Sequence, residues 1–249
     1  MSTNTRITAV LGVALLVVVG FIGYQQFGTD EDTGPIDGTA TVPPELLVRD
    51  DSRYLSQAPD GKVTIVEFLD FECEACLAIY PTIEDLRATY GDRITFVVRY
   101  FPLPGHPNSM TAAKAVEAAA QQGAFEPMYK KMYETQTLWG HNDASQRDVF
   151  VGFARDLGLD IPAFEQAMDD PATEARIQRD IDDGTALSIG GTPTIFINGV
   201  ETPPMPDREF LVSVIESALA VGSVPAGEAF VPLAGVSLDI MSRRFGEVA

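Results

Sequence analysis

The stretch KVTIVEFLDFECEACLAIYP, residues 62–81, holds both cysteines of the chain and a change of periodicity. Up to Asp70 it is β-branched and aromatic with no breaker, the composition of a central, buried strand. Beyond the cysteines Leu77, Tyr80, Ile83, Leu86 and Tyr90 recur at helical spacing, and Gly91 supplies a stop signal. Pro81 falls inside this helix, where it removes a backbone donor and crowds the preceding turn, so a kink is expected. Cys73 and Cys76 therefore sit where a strand hands over to a helix. Such a pair has three readings: a staple, two metal ligands, or a reversible redox switch.

Working outward, RITFVVRYFPL (93–103) reads as a second strand, ended by Pro102 and Pro104. Strand, helix and strand with short connections imply a right-handed parallel crossover. From about 108 to 187 the pattern is helical, punctuated by Gly, Asn and Pro. TPTIFING (192–199) gives a third short strand, NGVE (198–201) a tight turn, and PDREFLVSVIESAL (206–219) a closing helix with Asp207 as N-cap. The tail, 221–249, has mixed signals and is left unassigned. No internal repeat is visible.

At 249 residues and 45% hydrophobic, the chain is long enough for one good core. A formal net charge of −19 with no basic stripe excludes nucleic acid as a partner, because its phosphates would be repelled. The N-terminus says more. ITAVLGVALLVVVGFIGY (7–24) is uncharged and, as a helix, would extend about 27 Å, nearly the hydrocarbon thickness of a bilayer. Arg6 precedes it and TDED (29–32) follows, an asymmetry that puts residues 1–6 in the cytoplasm and the body outside. No small-x-small site follows closely, which favours an uncleaved transmembrane signal anchor over a cleaved signal peptide, the alternative. Either way the body faces an oxidising compartment, where a disulfide can persist. Residues 25–58, rich in Thr, Gly, Pro and Asp, read as an acidic linker whose second half can pack on the domain edge; the folded domain is expected over 59–220.

As a staple, the four-residue loop would contribute only about 2 kcal/mol, against about 4.7 for a 100-residue loop. As a metal site, the pair lacks the second pair that structural zinc wants, and His106 and His141, lone residues in unlike contexts, are assigned no role. The switch fits the setting. Cys73 would occupy the cap region of the helix, near free N–H groups and the positive dipole end, which lowers its pKa and makes it the nucleophile. Cys76, one turn on and more covered, is placed to attack a mixed disulfide. Glu67, in the middle of the apolar strand, is hard to bury unpaired. Asp70, Glu72 and Glu74 read as solvated surface charges.

CEAC after a hydrophobic strand, Pro81 beyond it and GGTPT (190–194) before a late strand resemble the thioredoxin superfamily. With the long helical insertion, TIVEFLDFECEAC (64–76) and GGTPTIFING (190–199) resemble the DsbA-type thiol–disulfide oxidoreductases over about residues 60–220. The resemblance implies an α/β thioredoxin-like fold with a helical insertion over about 108–187, preceded by the transmembrane helix. It implies Cys73 as attacking thiol, Cys76 as resolving thiol, Thr192-Pro193 as a substrate-binding cis-proline loop opposite the cysteines, and Glu67 as a proton relay beneath them. No cofactor and no metal is required. The expected activity is a membrane-tethered oxidase acting on the thiols of exported proteins, reoxidised by a membrane-embedded, quinone-coupled partner. A reductase or isomerase of the same fold, and a redox-inert adaptor, are the alternatives. One departure matters: the strong oxidases of the family carry Pro-His between the cysteines, and this chain has Glu74-Ala75. The charges of Glu72 and Glu74 oppose a thiolate at Cys73, so a milder oxidant is expected.

Overall fold

The computed structural model describes residues 41–221. Its centre is β2 (Thr64–Leu69), buried on both faces. β3 (Thr95–Tyr100) pairs with it in parallel, Thr64 opposite Thr95 and Leu69 opposite Tyr100. β4 (Thr194–Ile197) pairs on its other side antiparallel, Phe68 opposite Thr194. β1 (Arg53–Ser56) and β5 (Val200–Glu201) complete a mixed sheet of order β1-β3-β2-β4-β5. Asn198 and Gly199, both at positive φ, make the tight turn between β4 and β5.

The period of two divides each strand between two cores. Ile65, Leu69, Phe96, Val98, Ile195 and Ile197 face the larger one. Val66, Phe68, Val97 and Phe196 face the smaller. Helix α2 (Glu74–Tyr90) follows β2 and buries Cys76, Ile79, Ile83, Leu86 and Tyr90 in the larger core. The buried stripe is thus displaced from the expected one: Leu77 and Tyr80 are only partly covered. Pro81 sits within the helix, which runs on past it to Gly91; at φ 55 that residue takes the left-handed conformation that ends it.

Between β3 and β4 lie α3 (Ser109–Ala120), α4 (Phe125–Glu134), α5 (Gln136–Trp139), α6 (Arg147–Asp156), α7 (Ile161–Asp169) and α8 (Pro171–Ala186). Five of the six alanines of α3 (Ala112, Ala113, Ala115, Ala118, Ala119) are buried, and such short side chains let neighbouring helices approach closely. Helix α8 serves both cores: Ile177 is buried in the larger one, while Gly184 lies against Phe68 and Phe101 of the smaller. A Cβ on its Gly184 would stand 2.7 Å from the Phe101 ring, so only glycine permits this approach. α9 (Arg208–Val221) closes the fold, with the Asp207 carboxylate accepting the Phe210 N–H at 2.8 Å.

The expected linker ends earlier than residue 58. Helix α1 (Pro44–Leu47) buries Leu47, and β1 joins the sheet through β3. Charged residues do the tethering: Arg49 pairs with Asp183 at 2.5 Å, and Arg53 pairs with buried Glu117. The apolar run 7–24, the rest of the linker to residue 40 and the tail beyond 221 lie outside the described residues. Among the described residues no helix is long and apolar enough to cross a membrane.

Candidate active site

β2 runs directly into the cysteine loop. Cys73 is the N-cap of α2, with φ −74° and ψ 125°, and its carbonyl accepts the first helical bond from the Leu77 N–H at 3.1 Å. Both cysteines are free thiols, Cys73 7% exposed and Cys76 only 1%. That difference separates a thiol a visitor can reach from one it cannot. Opposite stands the loop before β4, where the Thr192–Pro193 bond is cis. The Cys73 thiol donates to the Thr192 carbonyl at 3.3 Å. The Thr192 hydroxyl is buried without a hydrogen-bond partner, and it lies close enough to act on the same sulfur.

The two sulfurs have opposite electrostatics. Cys73 is pulled down to about 5, first by the hydrogen bond from the Cys76 thiol, then by the Thr192 side chain and the N–H groups of Cys76 and Ala75. Burial opposes this and loses. Cys76 is pushed well above its ordinary value, chiefly by burial and then by giving its proton's bond to Cys73. The site thus favours loss of the Cys73 proton, which points at the Thr192 carbonyl, while Cys76 keeps its own and donates to the resulting thiolate.

Glu67 faces the larger core with Ile65 and Leu69, 2% exposed, and its Oε2 has no hydrogen-bond partner. Burial pushes its pKa up to about 8, with a smaller push from Glu84. It is near enough to Cys76 to raise that thiol as well. A carboxyl that is protonated at neutral pH therefore lies behind the covered sulfur.

Asp70 and Glu72 are not the solvated charges expected: they are 1% and 0% exposed. Each is satisfied by backbone donors that sequence proximity does not reveal. Asp70 Oδ1 accepts the Glu72 N–H at 2.8 Å and its Oδ2 the Leu103 N–H at 2.9 Å, with His106 Nδ1 2.6 Å away. Glu72 accepts the N–H groups of Asn108 at 2.6 Å and His141 at 2.7 Å. Glu72 is thus committed to the scaffold by those bonds. Glu74 is exposed, as expected, but its carboxylate lies 2.7 Å from His141 Nε2. The two carboxylates expected to oppose a Cys73 thiolate thus each have partners of their own.

Gln136 was missed entirely. From α5 its buried amide donates to the carbonyls of Phe71 at 2.8 Å and Cys73 at 2.9 Å, pinning the loop that carries the thiol. Nothing in a glutamine within QTLW marks it. Asn108 is likewise hidden: it donates to the Asn142 carbonyl at 2.6 Å and accepts the Gln146 N–H at 2.9 Å, tying the start of α3 to the loop before α6.

A cysteine pair capping the helix after a central strand, faced by a cis-proline loop and flanked by a helical insertion, is the layout of the thioredoxin-like fold in its DsbA-like form. The chain belongs to the thioredoxin family, whose sequence pattern matches residues 57–217. A thioredoxin-like oxidoreductase from Silicibacter pomeroyi DSS-3 superposes with a TM-score of 0.61 at 25% identity, covering 71% of this chain and 98% of that one. The thiol-disulfide exchange protein alpha-DsbA2 from Wolbachia pipientis has the same fold, with a TM-score of 0.59 at 22% identity over 70% of this chain and 90% of that one. The Na(+)/H(+) antiporter NhaA of Herminiimonas arsenicoxydans is 36% identical over 79% of this chain, which spans only 30% of that protein's length.

Proposed function

We propose that the protein is an extracytoplasmic thiol–disulfide oxidoreductase, tethered by residues 7–24, that oxidises cysteine pairs of exported proteins. The observation that carries this reading is the Cys73 thiol, 3.3 Å from the Thr192 carbonyl at the helix N-cap, with Cys76 covered behind it. The tether rests on the apolar run between Arg6 and the acidic TDED. The antiporter name is not carried over, since the match covers a minor part of that protein.

The cycle begins with the Cys73–Cys76 disulfide. A client thiolate attacks the Cys73 sulfur; the bond to Cys76 breaks as the mixed disulfide forms. Cys76 leaves as a thiolate in a site that disfavours one, and Glu67, protonated at neutral pH, supplies its proton. A second client thiolate attacks the client sulfur of the mixed disulfide, expelling Cys73 as the thiolate this site stabilises. The client has lost two electrons and the enzyme holds them as a dithiol. A membrane-embedded, quinone-coupled partner returns the dithiol to the disulfide. A Cys73 thiol near 5 lies between about 3.5 for a strong oxidant and about 7 for thioredoxin, so a reduction potential between roughly −120 and −270 mV is the expected result of its measurement.

The testing experiment pairs oxidation of a reduced, unfolded secreted protein with trapping by Cys76→Ser. In the variant, the Cys73 thiolate attacks a disulfide of an oxidised client and frees one client thiol; with no Cys76 to resolve the mixed disulfide, adducts accumulate and appear on non-reducing gels. Absence of adducts together with no oxidation of the client would remove the proposed chemistry.

Glu67 gives a second expectation, with a pH signature. Its folded pKa, about 8, lies above the ordinary 4.5. Its contribution to stability is therefore fully present below about pH 4.5 and is lost as pH rises through 8. Between pH 5 and 8.5 the oxidised protein should lose about 4 kcal/mol from this group, a loss that Glu67→Gln removes. Urea unfolding at the two pH values reads the difference directly. The same variant should slow client oxidation at pH 7 by about 10²-fold, the low end for losing a general acid.

A further inference from the structure

The chain has two histidines, far apart in sequence, and the fold brings both to the mouth of the cysteine pair. The rings of His106 and His141 stand edge to face, centroids 5.3 Å apart. Glu74, the residue after Cys73, places Oε1 2.7 Å from His141 Nε2. One ligand atom from each of Glu74, His106 and His141 lies within 4.8 Å of the other two. We propose that these three side chains form a binding site for a divalent transition-metal ion, of which Zn²⁺ fits the donors best.

The donor set is two imidazole nitrogens and one carboxylate oxygen, which suits a borderline-soft ion and leaves a fourth position open. Behind it stands the outer partner that metal-binding histidines usually have. His106 Nδ1 is 2.6 Å from the Asp70 carboxylate, itself 1% exposed and fixed by the N–H groups of Glu72 and Leu103. This leaves Nε2 of His106 for the ion and fixes its direction. His141 is held differently. Its backbone takes φ 54, a conformation L-residues seldom adopt, and its N–H is bonded to buried Glu72. One buried carboxylate, Asp70, thus orients the His106 imidazole, another, Glu72, fixes the His141 backbone, and Glu74 meets the His141 ring from an exposed position.

Bonds of about 2.0–2.1 Å to a tetrahedral ion set ligand atoms roughly 3.3 Å apart. Reaching that from 4.8 Å needs only side-chain rotation by Glu74 and His141, both exposed. An exposed carboxylate–imidazole pair alone would explain less. Such pairs contribute between about 0 and 1 kcal/mol, and a second imidazole set beside the first would repel it if both were protonated. A dication keeps both rings neutral and joins all three groups. This site does not rest on the redox reading, and it is tested without a redox assay.

The experiment uses the full chain in its Cys73–Cys76 disulfide form, so that no thiolate competes, with the Cys73→Ser/Cys76→Ser variant as a second background. Zn²⁺ is titrated calorimetrically at pH 7.5, and Co²⁺ is followed by its visible absorption. The expected result is one ion per chain, with affinity reduced at least tenfold by His141→Ala and by Glu74→Ala, both at exposed positions, and further by His106→Ala. Asp70→Asn should weaken binding by about 10–100-fold through loss of the outer partner. Absence of stoichiometric binding in both backgrounds overturns the site, as does binding indifferent to His141→Ala and Glu74→Ala.

Discussion

Cys73→Ser is expected to lower the rate of client oxidation by more than about 10³-fold while leaving the fold in place, because every covalent step passes through that sulfur. A serine hydroxyl forms no disulfide, and its oxygen is barely ionised near neutrality. The position itself tolerates the change: serine is a favoured N-cap residue, so stability should move by no more than about 1 kcal/mol. Unchanged circular dichroism and urea midpoint, measured beside the lost turnover, separate chemistry from folding. The wild-type protein carries the complementary signature. Alkylation of the reduced form should titrate with a midpoint near pH 5, the value to which Cys76, Thr192 and the helix N–H groups bring Cys73, instead of about 8.5 for a free cysteine. A midpoint above about 7 would mean that the helix end and Thr192 do not hold the thiolate, and the oxidase direction would lose its support. An adaptor with an inert cysteine pair would keep its function in Cys73→Ser.

What was legible in the sequence is local pattern. The run through Leu69 reads as a central strand because both of its faces are apolar, and β2 does lie mid-sheet. Glu67 stood out for the opposite reason, as a charge inside that run. The helix stop at Gly91, the Asn198-Gly199 turn and the Asp207 cap carry their conformations in the residue type itself. What was not legible is partnership across the chain. Asp70 and Glu72 look like any acidic pair beside a helix start, yet their acceptor sites are filled by Leu103, Asn108 and His141. Backbone N–H groups leave no mark in a sequence, so burial of those carboxylates could not be inferred. The second half of the linker was expected to be able to pack on the domain edge, but the partners that hold it there were hidden for the same reason. A Thr, Pro and Asp-rich composition is that of a tether, but Arg49 and Arg53 find carboxylates on α8 and α3 that turn residues 44–56 into part of the fold.

Those carboxylates belong to a buried ionic cluster on which the second large effect is expected. Arg99 lies mid-β3 at 0% exposure, on the face of the smaller core. It donates to Asp180 Oδ1 at 2.6 Å, to Asp183 Oδ2 at 2.5 Å and to the Leu46 and Leu47 carbonyls at 3.0 and 2.8 Å. Asp180, 1% exposed, is the hub, since its Oδ2 also accepts the Tyr100 N–H at 2.9 Å and Arg176 Nη1 at 2.6 Å. Two arginines and a strand-end amide therefore converge on one carboxylate that water does not reach. Asp180→Ala removes the shared anion while the cations stay buried, and breaking such a pair costs about 3–5 kcal/mol. At roughly 2–4 °C per kcal/mol for a domain of this size, the melting temperature should fall by about 6–20 °C. Asp182→Ala is the matched control: its carboxylate accepts from Gln178 on the exposed side of the same helix, and the cost should stay within about 0.5 kcal/mol. Equal melting temperatures for the two variants would show that Arg99 is served by Asp183 and the α1 carbonyls alone. With the expected difference, Asp180→Ala should also loosen residues 44–56, because Arg99 is what ties the α1 carbonyls to the sheet. Faster amide exchange there than around Cys73 would place the damage at the cluster, away from the sulfur chemistry on the other core.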